Sequence, residues 1–282
     1  MSQESSIDKL SERFHVTKTN AIPACSSVEL DARREGEERT TEPYREAVGG
    51  LLWIAGMTRP DIAQAVRSVS SYSHDPCQRH WSAITQILAY LKGTRTMGLT
   101  FDREKGNTPV AFADASYASD KDSRKSVSGG LVMYGGAAVH WHSRTQRCVA
   151  TSSAEAEYIA LSACSKELMF VKQVWSFLRP QHRAAPLKMY EDNQSAIFLA
   201  KNPQSSRKTK HIDVSYHYVR SLVEQGKIEV AHVISEDQRA DTLTKSLGRE
   251  VFEGHRNCIL NRNDDVHRRS KRLLDVVREA SS

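Results

Sequence analysis

An α/β domain preceded by a small all-α unit is the fold class this sequence predicts, on three observations. From Pro43 to Gly93 apolar residues recur at helical spacing in three successive stretches. Beyond the turn region 102–108 the period drops to two. Long helical patterns then separate the third short apolar run from the fourth, the alternation expected of helices packed on a sheet. The chain has 282 residues, 39% hydrophobic and 26% charged, enough to bury one large core or two ordinary ones. Lys+Arg exceed Asp+Glu, 40 to 34, for a net charge of +6. That excess favours polyanionic partners without implying a basic tail. The five cysteines, Cys25, Cys77, Cys148, Cys164 and Cys258, are odd in number and contain no CxxC. They fit neither a disulfide framework nor a zinc ribbon and point to a reducing compartment. The opening MSQESSIDKL lacks a signal pattern, and the apolar stretch Ala47 to Met57 is too short and glycine-rich to span a bilayer. Secreted and membrane classes are set aside, and a cytoplasmic or nuclear location is expected.

Taken in order, residues 1–40 are polar, with a helix-like piece around Ile7 to Phe14 followed by ELDARREGEERTTEPY, which offers almost nothing to bury. They predict an arm or linker. Residues 41–103 predict three amphipathic helices: YREAVGGLLWIAGM, PDIAQAVRSVSSYS with Pro60 in a first-turn position, and PCQRHWSAITQILAYLKG closed by Gly93. Residues 104–260 predict the α/β domain, with strands in PVAFAD, SGGLVMY, AAVHWHS, PLKMYED and KIEVAHV. The tail 261–282 is charged with both signs and has only LLDVV as an apolar patch, so a frayed helix or disorder is expected.

Four acids carry the functional argument. The period of two puts Val110, Phe112 and Asp114 on one strand face, so Asp114 extends a buried side at the strand's carboxyl end. Asp192 follows the strand MYE just before a helix. If the two strands are parallel, both aspartates reach one sheet edge, where open α/β sheets bind ligands. On the long helix the stripe Leu161, Cys164, Leu168, Val171, Trp175, Leu178 extends back four residues to Glu157, which therefore faces the sheet. Glu155 stands about 200° away around the helix and should point outward. Asp241, in DQRADTLTKSL, lies on the margin of the buried side formed by Ala240, Leu243, Thr244 and Leu247. Clustered carboxylates repel and take up protons unless a cation neutralises them, and oxygen-only ligands select Mg²⁺ or Mn²⁺. Two such ions about 3.5–4 Å apart suffice for phosphodiester hydrolysis without a side-chain nucleophile. Taken singly, each acid also fits an ordinary role as turn residue, helix cap or helix-start acid.

YREAVGGLLWIAGMTRPDIAQAV, HWSAITQILAYLKGT, FADASYASDKDSRKSVSGG, TSSAEAEYIALS, YEDNQSAI, KHIDVSYHYVR and QRADTLTK resemble, in that order, the carboxyl-terminal part of the pol polyprotein of copia-type LTR retrotransposons. The resemblance runs from about Ile7 to Leu260: the end of the reverse transcriptase region, a helical connection and a ribonuclease H domain. It implies a ribonuclease H-like five-stranded mixed sheet of order 3-2-1-4-5 with flanking helices. It also implies cleavage of the RNA strand of RNA–DNA hybrids with two Mg²⁺, and the four catalytic and metal-binding acids fall on Asp114, Glu157, Asp192 and Asp241. Three departures stand out. The polymerase's aromatic hairpin with two adjacent aspartates is missing, the sole Asp-Asp being Asp264-Asp265 in the tail. Where relatives carry a histidine about ten residues before the last acid this chain has Ala231, and His232, lying in the strand, is not expected to be catalytic. Ile234 stands where relatives often have proline.

Further residues suit substrate contact. In SDKDSRKSVSGG, Arg124, Lys125, Ser126 and Ser128 could hold sugars and phosphates, with Ser116 of FADAS and with Asn193 and Gln194 of EDNQ beside the acids. The loop KNPQSSRKTK sets Lys201, Arg207, Lys208 and Lys210 where they could contact a duplex backbone; a solvated basic loop is the plain alternative. His140 and His142 share a strand face, and His211, Asp213 and His217 cluster in KHIDVSYH, but neither set has a further ligand nearby in sequence, so solvated or hydrogen-bonded histidines are expected. Trp53, Trp81, Trp141 and Trp175 are expected as core anchors. The function anticipated is a metal-dependent endoribonuclease acting on RNA–DNA hybrids. The alternatives are a non-catalytic remnant that keeps the fold, or the integrase and resolvase branch of the superfold, which the SSAEAEY and EDNQ wording disfavours.

Overall fold

The computed structural model describes residues 1–25, 30–182, 185–202 and 218–262. Helix α1 (Glu4–Arg13) precedes the helical unit of α2 (Tyr44–Met57), α3 (Ala63–Ser70) and α4 (Gln78–Gly93). Pro60 opens the 3-10 turn that leads into α3, as its missing N–H and fixed φ favour. The sheet follows: β1 (Val110–Ser116), β2 (Val127–Tyr134), β3 (Ala137–Thr145), then α5 (Ser153–Leu178), β4 (Leu187–Glu191), α6 (Gln194–Lys201), helical residues 218–224 (α7), β5 (Ile228–His232) and finally α8 (Arg249–Leu260). The strand order is β3-β2-β1-β4-β5. β1, β2 and β3 form an antiparallel meander, while β4 runs parallel to both β1 and β5. This is the mixed sheet expected.

Alternation along β1 divides the core. Ala111 and Ala113 pack with Tyr158, Leu161, Cys164 and Leu168 of α5, whereas Phe112 packs on the opposite face with Leu131, Leu243 and Ile259. A third cluster fills the helical unit around Leu51, Ile54, Ile84 and Leu88.

Several expectations are corrected here. The amino-terminal segment is packed rather than free: Ile7 is buried in the helical cluster with Leu10, Phe14 and Val16 against it, and the Met1 ammonium donates to Leu99 O at 2.6 Å. Alternate apolar residues too sparse to read as a core element suffice once a neighbouring groove exists. Trp53 is 59% exposed on α2, while Trp81 and Trp175 are buried and Trp141, half-buried, donates from Nε1 to Ala55 O at 2.8 Å. Leu178 is exposed, because α5 outruns the sheet that covers its earlier turns. Among the described residues no helix is long and apolar enough to cross a membrane. The segments 203–217 and 263–282, with Arg207, Lys208, Lys210, His211, Asp213, His217 and the charged tail, lie outside the described residues.

Candidate active site

Asp114 stands on the β1 face that carries Phe112, near the strand's carboxyl end and opposite Gly129 of β2. That glycine admits the 3-10 turn Arg239–Leu243, because a Cβ there would lie 2.7 Å from Thr244 Cγ2 and 2.9 Å from Leu243 Cβ. The turn is held to β1 twice. Gln238 Nε2 donates to Ala113 O at 2.8 Å, and the Thr244 hydroxyl donates to Asp114 Oδ2. Asp241, on the same turn, is buried beside Asp114 and takes an ion pair from Lys245 Nζ at 2.8 Å.

Glu157 comes from the first turns of α5, buried on the sheet side as its stripe requires. Glu155 departs from expectation. It is buried too, its carboxylate turned back to accept from Thr151 N at 2.6 Å and from the Thr151 hydroxyl, while Ser152 caps the helix by accepting from Glu155 N. An acid at the third helical position can fold back over the helix start, so angular position alone does not expose it. Asp192 follows β4, half-buried, with Oδ2 accepting from Ser235 Oγ at 2.8 Å. Oxygens of Asp114, Glu157 and Asp192 all lie within 4.8 Å of one another.

A fifth acid escaped the sequence reasoning. Leu187, Met189 and Glu191 share the β4 face that packs on α5, so Glu191, not Asp192, continues the buried side. It is 0% exposed, Oε1 accepts from Asn193 N at 3.1 Å, and Oε2 has no partner among the described residues. The period of two along LKMYE, carried one residue further, would have found it.

Crowded acids out of water hold protons. Burial, and then the charges of Asp114 and Asp192, push the Glu157 carboxyl up to about 9. Burial and Asp114 push Asp241 to about 7 against the pull of Lys245. Burial raises Asp114, opposed by the Thr244 hydrogen bond, and burial with Glu157 alongside raises Glu191 well above the carboxylate range. Among the described residues Glu157 Oε2 and Asp241 Oδ1, like Glu191 Oε2, are buried without a hydrogen-bond partner. An all-oxygen donor set with orphaned buried oxygens fits a hard divalent cation.

The expected substrate residues are placed unevenly. Gln194 is exposed beside the acids, Ser116 is half-buried at the end of β1, and Lys201 is exposed at the end of α6. Arg124 is exposed in a left-handed conformation (φ 56°), with Lys125 next to it. Ser126 is corrected: it is fully buried, its hydroxyl accepting from Ala118 N at 3.0 Å, so it braces the β1–β2 loop instead of facing a substrate. Ser128 is likewise buried, accepting from Gln146 Nε2. Asn193 spends its side-chain oxygen capping α6, on Ser195 N and Ala196 N. His232 is exposed and pairs in register with Glu191.

No family model matches the chain. The retrovirus-related Pol polyprotein from transposon TNT 1-94 of Nicotiana tabacum is 37% identical over 263 residues, covering 90% of this chain and 19% of that protein. That from transposon RE1 of Arabidopsis thaliana is 39% identical over 219 residues, covering 76% of this chain and 15% of its own length. The chain belongs to the retrovirus-related Pol polyproteins of copia-type transposons. It spans less than a fifth of the length of these relatives. Among solved structures, LC11-RNase H1 in complex with an RNA/DNA hybrid aligns with TM-score 0.36 and 14% identity, over 49% of this chain and 94% of that one. With its sheet order of β3-β2-β1-β4-β5 and its flanking helices, the α/β part of the chain has the ribonuclease H-like fold.

Proposed function

We propose that this domain is a divalent-cation-dependent endoribonuclease that hydrolyses the RNA strand of RNA–DNA hybrids. The observation that carries the reading is the convergence of Asp114, Glu157 and Asp192 oxygens within 4.8 Å, on three different elements, at one sheet edge. Structural acids gain nothing from such crowding. Asp114, Glu157, Asp192 and Asp241 would hold Mg²⁺ or Mn²⁺, which when bound supplies charge neutralisation, an activated water and stabilisation of the leaving oxygen.

The chain's own residues fix the rest. Thr244 orients Asp114 by donating its hydroxyl to Oδ2. Lys245 holds Asp241 and adds positive charge where a phosphodiester must approach. Glu191, its carboxyl raised well above the usual carboxylate range by burial and by Glu157 alongside, lies behind the site. Arg124, Lys125, Ser116 and Gln194 would steady a duplex backbone laid over the acids, contacts that position without reading sequence.

The test is cleavage of labelled RNA–DNA hybrid, RNA duplex and DNA duplex in parallel. Hybrid alone should be cut, with Mg²⁺ or Mn²⁺ and not in EDTA. Cleavage that survives chelation overturns the metal reading. Hybrid binding with no cleavage in any metal would establish instead a remnant that keeps the fold and binds nucleic acid.

A further inference from the structure

The acids stand at one end of the sheet, and the helical unit reaches that same end. The register sets Ser116 of β1 opposite Val127 of β2, and Val127 opposite Thr145 of β3. Residues paired across antiparallel strands share a face, so Thr145 stands on the face of Asp114 and Ser116, two strand spacings or about 10 Å from β1. Arg67 of α3 lies against that row. Its Nη1 donates to Thr145 Oγ1 at 3.3 Å and its Nη2 to Ser68 Oγ at 3.0 Å. A cation from outside the ribonuclease H-like fold is thereby held beside the site.

Arg67 is not spent on the protein. It is half-buried, its two hydrogen bonds go to neutral hydroxyls, and among the described residues its Nε is buried without a partner. Asp120, the acid whose charge it feels, accepts from Ser123 N and Ser123 Oγ at 2.8 Å each. A guanidinium met only by hydroxyls keeps N–H groups for a stronger acceptor. Arg67 and the supports of the acids line one cleft of about 270 Å³. The turn after Asp241 contributes Thr244 and Lys245 to it, the residues that hold Asp114 and Asp241. Among the described residues its lining carries three cations, Arg67, Lys121 and Lys245, and one acid, Asp120, so it favours an anion.

The chemistry that fits is a backbone phosphate. A planar guanidinium presents its donors in a fixed fork that matches phosphate oxygens, and the Gln64 amide and Ser116 hydroxyl in the same lining suit the adjoining sugar. We infer that the cleft is a phosphate subsite of the substrate groove, in which Arg67 of the helical unit takes a backbone phosphate of the same hybrid whose RNA strand lies over the acids. The inference rests on the endoribonuclease reading and extends it, because the groove then includes the helical unit as well as the ribonuclease H-like domain. A duplex held at the acids and again at the cleft has its register on the protein fixed without any base being read. Phosphates are common to every duplex, so Arg67 adds affinity and leaves the preference for hybrid to groups nearer the acids.

Hybrid binding tests the subsite apart from cleavage. Anisotropy of a fluorescein-labelled RNA–DNA hybrid, with the full chain carrying Asp192→Asn so that nothing is cut, gives Kd as a function of salt. Adding Arg67→Gln should weaken binding about tenfold at about 50 mM salt and lower the slope of log Kd on log salt by about 0.9, the share of one phosphate contact. Arg67→Lys keeps the charge and should restore the slope. Thr145→Val loses the hydroxyl that accepts from Arg67 Nη1 but keeps the cation, so its Tm should fall while its slope stays at the parent value. Arg95→Gln removes a helical-unit cation that pairs with Glu4 and Asp8 outside the cleft, and should leave Kd and slope unchanged. In the cleaving chain Arg67→Gln should raise KM and keep kcat within about twofold. A folded Arg67→Gln chain with the parent slope, or an equal loss of slope in Thr145→Val or Arg95→Gln, overturns the subsite. An Arg67-dependent slope in a wild-type chain that binds hybrid but cuts none supports the subsite and sinks the nuclease reading instead.

Discussion

Replacing Glu157 with glutamine removes one proton-binding group while keeping the shape of the site. In the metal-free protein this carboxyl is raised from an ordinary 4.5 to about 9, first by burial and then by Asp114 and Asp192. Between those two values the folded chain keeps a proton that the unfolded chain has released. The stabilisation is therefore complete below the unfolded value and is lost as pH climbs toward the folded one, with a slope of about 1.4 kcal/mol per pH unit. From pH 6 to pH 8 Glu157 alone should cost the metal-free protein about 3 kcal/mol, roughly 6–12 °C in Tm for a chain of this size. Glutamine cannot follow, so Glu157→Gln should lose far less over the same interval. A residual slope remains from Asp241, which titrates near pH 7, and from Glu191, which burial also raises. Thermal melts by circular dichroism in EDTA at pH 6, 7 and 8 measure the difference. With Mg²⁺ present the wild-type slope should flatten, since a cation replaces the proton. Parallel Tm–pH lines for wild type and variant in EDTA would refute the placement of Glu157 among the other acids.

Asp114→Asn and Asp192→Asn should each abolish hybrid cleavage while leaving the metal-free Tm at or above that of the wild type, because one charge leaves a repelling cluster. Glu155→Gln should keep cleavage within a few-fold but cost about 1 kcal/mol in urea unfolding, since its carboxylate ties down Thr151 ahead of α5. Trp141→Phe, which loses the Nε1–H bond to Ala55 O, should cost about 1 kcal/mol by the same measurement. A fragment of residues 104–260 tests whether the sheet domain is separable. It lacks Leu99, buried with Phe112 and Leu131, and strips Phe252 of its helical-unit partners. At about 1.5–3 kcal/mol for each large side chain, it should unfold well below the full chain's denaturant midpoint.

The five strands and the three helices of 41–103 were legible because each shows one clean period bounded by Gly or Pro. The acids at Asp114 and Glu157 were legible for the same reason, as end members of apolar stripes. What failed were inferences about exposure. Glu155 was set outward by its helical angle, yet a capping contact turned it in. Ser126 was assigned to a substrate by its polar loop, yet the loop folds over its hydroxyl. Residues 1–40 read as an arm or linker, yet Ile7 and Phe14 pack in the helical cluster, whose residues lie far away in sequence. Glu167 could not be joined to His140 from sequence at all, because that pairing depends on how α5 crosses the sheet.

The acids also share a pattern that explains how a repelling cluster is kept in place. Asp114 Oδ2 accepts from Thr244, Asp241 Oδ2 pairs with Lys245, Asp192 Oδ2 accepts from Ser235, and Glu191 Oε1 accepts from the Asn193 N–H. In each, one oxygen is fixed by a group that the fold brings beside it. The other oxygens of Asp241 and Glu191, with Oε2 of Glu157, are buried and unmet among the described residues. A fold seeking stability alone would satisfy both oxygens or bury neither, since an orphaned buried acceptor costs about 1–3 kcal/mol. Tying down one oxygen and withholding the other fixes each carboxylate's rotation before any ligand arrives, so little ordering is left to lose when a cation binds. The supports come from the 3-10 turns at 235–243, from residues 244–245 just beyond them and from the α6 cap, all close to the acids in space. The wording around the acids in QRADTLTK and EDNQ thus encodes the supports together with the acids they hold.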